Sequence, residues 1–428
     1  MAFGSSLVLV IAMLVMAATT HHSYRCQSDG HFEVSKVSLK CKLTSGTVRT
    51  STTGSPVVVL ELCLDHWRPP GALLRTLVAL VWQIDPRDAW FSQDDRQGSL
   101  YGRVVSSIGL RIVLENPEVI VVRVFVAGAA GVVGRRLVPQ LVAHGYQVTA
   151  TTTNPAKLGL LEQLGADAVV MDGLDEVSVG EAVAKSLPDA IVHQMTAIGG
   201  KKPDIKHMDR WFAITNRLRT EGTDHLLAAA NAIGVSNFVA QSYASWNGIR
   251  KGGWVKTEED PLDLEEGTAA QPVMEAVCYL EDVVVKAGGA ALRFGGLYGP
   301  GATDDQVELV RKRKYPLVGD GAGYSSWLHL DDAASATVLA VEQKARGVFN
   351  IVDDEPAPAK EWLTYLATCA GAKPPMRVPK WLARLVAGDV AVTMMTEGRG
   401  FSNAKAKREL GWELRYPSWR QGFKEGLA

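Results

Sequence analysis

Residues 121–127 read VVRVFVA, an apolar run of strand length, and they open the most regular stretch of the chain. Such a run suits a strand buried on both faces of a sheet. A glycine-rich turn follows, and then RRLVPQLVAHG, whose apolar positions recur at helical spacing and which ends at Gly145. The same alternation continues through YQVTATT, PAKLGLLEQLG, DAVVMD, EVSVGEAVAKSL and DAIVHQM. Short apolar strands alternating with amphipathic helices predict right-handed βαβ units and a parallel, doubly wound α/β sheet. Residues 271–284, QPVMEAVCYLEDVV, place Val273, Val277, Leu280 and Val284 on one helical stripe. After residue 290 the alternation loosens, with strands such as AALRFGGLYG and GVFNIVD among helices.

The first 120 residues lack this texture. Residues 7–18, LVLVIAMLVMAA, form an apolar run too short for the roughly 20 residues of a membrane span. No Lys or Arg precedes it, so it lacks the charged flank of a secretory signal. A cytoplasmic protein is expected, with a membrane-anchored or secreted form through residues 7–18 as the alternative. Residues 20–56, rich in Ser, Thr and Gly, read as loop. Residues 57–120 contain apolar runs broken by WRPPG and DPRDAWFSQDDRQG but carry no motif. The expected organisation is an apolar segment over 1–20, an extension of undefined structure over 21–120, a nucleotide-binding domain over 121–290 and a smaller substrate-binding region over 291–428.

A net charge of −1 argues against nucleic acid as a partner, because phosphate binding needs a clustered basic surface. The basic cluster at 311–314, RKRK, reads as a solvated helix end. Five cysteines with no C-x-x-C pair make neither a disulfide framework nor a metal site, and no structural metal is expected.

The turn AGAAGVVG sets Gly128, Gly131 and Gly134 at three-residue intervals between a strand and a helix. A turn this sharp needs residues without Cβ, and only there can a pyrophosphate approach the backbone. The backbone of Gly128, Ala130, Gly131, Val132, Val133 and Gly134 is therefore the expected phosphate cradle, backed by the helix dipole. The second strand ends in Thr153 and Asn154 rather than in the carboxylate that holds the ribose of NAD, and Arg135, Arg136 and Lys157 lie near in sequence. The cofactor expected is NADP or NAD, with a lean towards NADP. Asp172, with Gly173 beside it, and Met195 beyond the fourth strand complete the expected contacts.

With these residues in place, the sequence from about 123 to 428 resembles the extended short-chain dehydrogenase/reductase superfamily, in its NAD-dependent epimerase/dehydratase group. The matching segments are GAAGVVG at 128–134, Asn216 followed by GTDHLLAAANAIGVSNFV at 222–239, LRFGGLYGPG at 292–301, WLHLDDAASA at 327–336, GVFNIVDDEP at 347–356 and AKRELGW at 406–412. The resemblance implies a Rossmann domain, a smaller C-terminal substrate domain, a small-molecule substrate (often a nucleotide sugar) and a homodimer formed through a helix pair. It also implies a catalytic Ser or Thr followed by Tyr-x-x-x-Lys on one helix face, where the ammonium lowers the phenol's pKa and the phenol exchanges a proton with substrate.

Pro272 and Glu281 fit the frame of that helix, which sets Val273 at the Tyr position and Val277 at the Lys position. The family's Ser position falls on Tyr243, with Ser242 before it. Tyr243 and Ser242 are accordingly the candidate catalytic residues, Tyr243 as a proton donor. Tyr279, Tyr298, His193, Asp331 and Asp332 read as structural, and Lys251 and Lys256 as loop lysines. Two functions remain open: an NAD(P)-dependent oxidoreductase of atypical type, and a non-catalytic NAD(P)-binding sensor.

Overall fold

The computed structural model describes residues 39–50, 56–68, 72–83, 111–114, 118–199 and 204–427, so the apolar run at 7–18 lies outside the described residues. The chain divides into two units, with the main boundary between Ile120 and Val121. In the first unit, Leu39–Thr50, Pro56–Arg68 and Ala72–Gln83 are long antiparallel strands, and Arg111–Leu114 joins their edge. The loop reading of 20–56 is thus corrected for Leu39–Thr50: backbone pairing with the apolar run Pro56–Arg68 makes a strand of a Ser/Thr-rich sequence. No helix among the described residues is long and apolar enough to cross a membrane.

The second unit is built on seven parallel strands: β1 Arg123–Ala127, β2 Gln147–Thr152, β3 Asp167–Val170, β4 Ala190–His193, β5 Asn237–Tyr243, β6 Ala290–Phe294 and β7 Gly347–Ile351. Their spatial order is β7-β6-β5-β4-β1-β2-β3. The order reverses between β1 and β4, the switch point where a doubly wound sheet opens a crevice at the carboxyl ends of its strands. The helices that position the site are α1 Gly134–Ala143, α2 Leu158–Gln163, α3 Glu176–Ser186, α4 Ala213–Arg219, α5 Glu221–Ala232, α6 Gln271–Lys286 and α7 Leu330–Glu342.

Strand periodicity divides the core in two. Val124 and Val126 of β1 pack with Leu137 and Leu141 of α1 and with Val338 of α7. Phe125 and Ala127, pointing the other way, pack with Val179 of α3, Leu226 of α5 and Leu280 and Val284 of α6. Burial on both faces is why β1 reads as an unbroken apolar run. A third cluster in the C-terminal region gathers Tyr298, Trp327, Trp362, Trp419 and Phe423. Tyr298 is fully buried there, and a Cβ on Gly422 would stand 2.0 Å from its hydroxyl, so only glycine lets that tyrosine seat.

Candidate active site

The phosphate cradle begins where β1 ends. Gly128 has φ +83°, and a Cβ there would lie 2.8 Å from Met195 Cα and 2.9 Å from the Gln194 carbonyl carbon. Its amide donates to Thr151 Oγ1 at 3.1 Å, and the next amide, of Ala129, to the Thr151 carbonyl at 3.0 Å, which ties the turn to the end of β2. A Cβ on Gly134 would come 2.2 Å from the Ala129 carbonyl oxygen, so this glycine is needed for helix and strand to pack. Gly131 differs: it is exposed, and a Cβ there would meet only the Gly128 carbonyl at 3.4 Å. Space in front of Gly131 is open, the α1 N-terminus has no side-chain cap, and the amides of Val132 and Val133 have no partner among the described residues. Free amides, an open approach and the positive end of a helix suit a pyrophosphate.

Around this cradle, Asn154 caps the turn Pro155–Lys157 by accepting from the Ala156 amide at 3.0 Å, and Thr153, Lys157 and Arg135 are exposed. Arg136 leans on Asp331 at 3.7 Å. Asp172 accepts from the Leu174 amide at 3.0 Å, which fixes the bend after β3. Gly173 is packed so closely under Met195 that a Cβ would lie 2.3 Å from the sulfur.

His193, at the end of β4, is buried and satisfied. Its Nδ1 accepts from the Met195 amide and its Nε2–H donates to the Leu218 carbonyl, each at 3.2 Å. Burial pushes its pKa down from 6.5 to about 4, more than offsetting the Leu218 bond. A depressed histidine lends its stability above the unfolded pKa and loses it as pH falls through the folded one. About 3 kcal/mol is therefore expected to disappear between pH 6.5 and pH 4. Urea titrations across this window would check it, and His193→Gln should flatten that part of the dependence.

At the end of β5 the two candidate catalytic residues part company. Ser242 is 1% exposed and donates to Glu281 Oε1 of α6 at 2.6 Å. The same carboxylate receives Arg293 Nε at 2.8 Å and Nη2 at 2.7 Å, a bidentate pair in which both residues are buried. The Ser242 hydroxyl is therefore spent on a brace between β5, α6 and β6.

Tyr243 instead packs against two apolar clusters: Val273 with Met208, Trp246 and Val390, and Val277 with Ala244, Leu262 and Phe401. Val273 is 2% exposed and Val277 0%, so no proton-carrying group stands at either position. Burial raises the Tyr243 phenol above its ordinary range, against smaller opposing effects of hydrogen bonding to Ser245 and Trp246 and of the Arg219 charge. Tyr315 from the C-terminal region lies within electrostatic reach of it and is pushed up to about 12, chiefly by burial.

The other candidates sit elsewhere. Tyr279 donates to Asp224 on the exposed side of α6. Lys256 is buried in its own loop, on the Lys251 carbonyl and 3.6 Å from Asp260. Asp332 accepts from the amides of Arg415 and Tyr416.

Sequence reasoning missed Arg219. It is 6% exposed at the last turn of α4, and its Nη1 has no hydrogen-bond partner. The available signal was a charged residue beside Thr215 and Leu218 on the buried face of a helix. Unpartnered buried polar atoms recur nearby in sequence and fold, at Asn216 Oδ1, Trp211 Nε1 and both amide atoms of Gln194.

The model of the NAD dependent epimerase/dehydratase family matches residues 124–352. A 3-diazoavenalumate denitrifying reductase from a Streptomyces species is 41% identical over 310 residues, which span 70% of this chain and 99% of that protein. The 2-alkyl-3-oxoalkanoate reductase of Stenotrophomonas maltophilia is 29% identical over 266 residues, 58% of this chain and 76% of that one. Among solved structures, the UDP-glucose 4-epimerase of Thermus thermophilus in complex with NAD aligns with TM-score 0.56 at 21% identity, covering 71% of this chain and 97% of the epimerase. Human epimerase family protein SDR39U1 with NADPH aligns with TM-score 0.55 at 20% identity, covering 71% and 99%. At such identities the likeness is one of fold.

Proposed function

The chain belongs to the NAD-dependent epimerase/dehydratase family, and we propose that within it the protein is an NADPH-dependent reductase that replaces a diazo group by hydrogen. The observation that carries this reading is the pair of buried valines, Val273 and Val277, against Tyr243. Its direction comes from the relative named a denitrifying reductase. The family positions of an acid and its activating amine hold only methyl groups, so the reaction is one that needs neither.

Reduction of a carbonyl leaves an alkoxide and calls for a proton. Reduction of a diazonium carbon does not. The incoming hydride pair forms the C–H bond, the C–N bond breaks, and its electron pair leaves with dinitrogen. Bound NADPH supplies that hydride from nicotinamide C4.

In this reading the chain's residues bind, orient and exclude water. The turn from Gly128 to Gly134 holds the pyrophosphate on the free amides of Val132 and Val133. Asn154, which caps its turn, brings no negative charge to repel a 2′-phosphate, and Arg135 and Lys157 are exposed cations on the flanking elements. NADPH is therefore preferred over NADH. Val273 and Val277 keep water from the acceptor, and Tyr243, its proton held by burial, forms the wall the acceptor lies against. Ser242 holds α6 in place through Glu281.

The test is turnover of an arenediazonium acid with NADPH, read as dinitrogen released. Tyr243→Phe is expected to keep that activity within about threefold, whereas removing a true general acid costs about 10²–10⁴-fold. NADPH bound tightly with no diazo compound reduced would instead indicate a sensor. Ketone reduction that collapses in Tyr243→Phe would make Tyr243 the proton donor and sink the proposal.

A further inference from the structure

We propose that Arg219 is the anchor for a carboxylate, so that the site beside Tyr243 takes a planar, singly charged acid. The inference rests on the reductase reading above and names its class of substrate. An isolated cation removed from water is costly and is retained where an anion answers it. Arg219 is buried, its Nη1 is without a partner, and it makes no salt bridge among the described residues. Burial draws its pKa down to about 10, which leaves it fully charged at neutral pH.

The groups within electrostatic reach do not cancel that charge. Glu281 gives its oxygens to Arg293 and Ser242. Tyr243 is held protonated by burial, and His193 is neutral at pH 7. The neighbourhood therefore carries one unanswered positive charge. A guanidinium meets a carboxylate through two parallel hydrogen bonds, which fixes orientation as well as affinity. A second, independent observation points to a ligand beside Arg219: Asn216 Oδ1, one turn before it on α4, is buried and unpartnered, as is Trp211 Nε1 next to the Phe212 ring that Arg219 meets. The Phe212 ring lies 5.7 Å from the guanidinium carbon and packs edge-on against Trp211, so the acid group arrives beside aromatic faces. A single cation matches a monoanion; a pyrophosphate would leave a second negative charge unanswered.

The experiment titrates the NADPH-saturated protein calorimetrically with cinnamate, methyl cinnamate and UDP. Cinnamate is expected to bind about 10–100-fold more tightly than its ester, the range for hydrogen bonds to a charged group. Arg219→Gln should erase that preference and Arg219→Lys should keep part of it, with NADPH affinity unchanged in both. Should Arg219→Gln fail to fold, the wild-type ratio and Arg219→Lys decide. Equal binding of acid and ester by the wild type would overturn the proposal. So would a preference that survives in Arg219→Gln, an equal loss of NADPH affinity in either variant, or UDP binding more tightly than cinnamate. No diazo compound and no turnover enters these titrations, so their failure is separate from failure of the denitrification reading.

Discussion

Arg293→Met is expected to destabilise the protein by about 3–5 kcal/mol, because it strands a buried carboxylate. Arg293 and Glu281 are 6% and 7% exposed, and the guanidinium supplies two of the three hydrogen bonds that Glu281 receives. With methionine at 293 only the Ser242 hydroxyl remains to that carboxylate. Pairing the change with Glu281→Leu should recover much of the loss, since apolar residues of similar volume often replace a buried ion pair at little net cost. Urea unfolding of the two single variants and the double variant checks this as a cycle. Ser242→Ala should cost less, about 1.5–3 kcal/mol, the worth of one hydrogen bond to a charged group. If Arg293→Met were neutral, the brace between β5, α6 and β6 would have no energetic meaning, and Ser242 would be free for another role.

Gly131→Ala is expected to leave stability within about 0.5 kcal/mol of wild type, as a substitution away from tight packing does. It should weaken NADPH binding at least about tenfold, or about 1.4 kcal/mol. The separation follows from the turn's geometry. A Cβ at 131 meets only one carbonyl at ordinary contact distance, and it projects into the open space before the free amides of Val132 and Val133. Gly128→Ala makes the contrast: φ +83° and a 2.8 Å approach to Met195 Cα mean that it should lose stability and cofactor together. Thermal melts beside fluorescence titrations with NADPH distinguish the two effects. Unchanged NADPH affinity in Gly131→Ala would place the pyrophosphate elsewhere.

The apolar runs of β1 and β4 are legible because these inner strands are buried on both faces, so sequence and environment agree along them; β3, at the sheet edge, is legible from its place in the strand–helix alternation. The glycine turn is legible for a similar reason: three backbone requirements fall at fixed spacing. Tyr243 and Ser242 look equivalent in sequence, since both put a hydroxyl at the end of β5. Both side chains reach α6, and what each meets there separates them: Ser242 meets the Glu281 carboxylate, whereas Tyr243 packs on the clusters of Val273 and Val277 nearer the helix start. Arg219 is hidden because a charged residue on a helix ordinarily reaches solvent; its burial comes from tertiary packing of α4 against α6 and the end of β4. Leu39–Thr50 is hidden for the opposite reason, its Ser, Thr and Gly content resembling a loop until a partner strand takes up its backbone.

On the proposed reading, Val273 and Val277 define what the chemistry does without. The most direct measurement is a single turnover with NADPH carrying deuterium at the transferring C4 position, an arenediazonium acid and ordinary water. The account predicts dinitrogen and a product with one deuterium on the former diazo carbon, formed at a rate that does not change across neutral pH. Protium from solvent at that carbon, or a rate that follows the titration of a single acid, would contradict it.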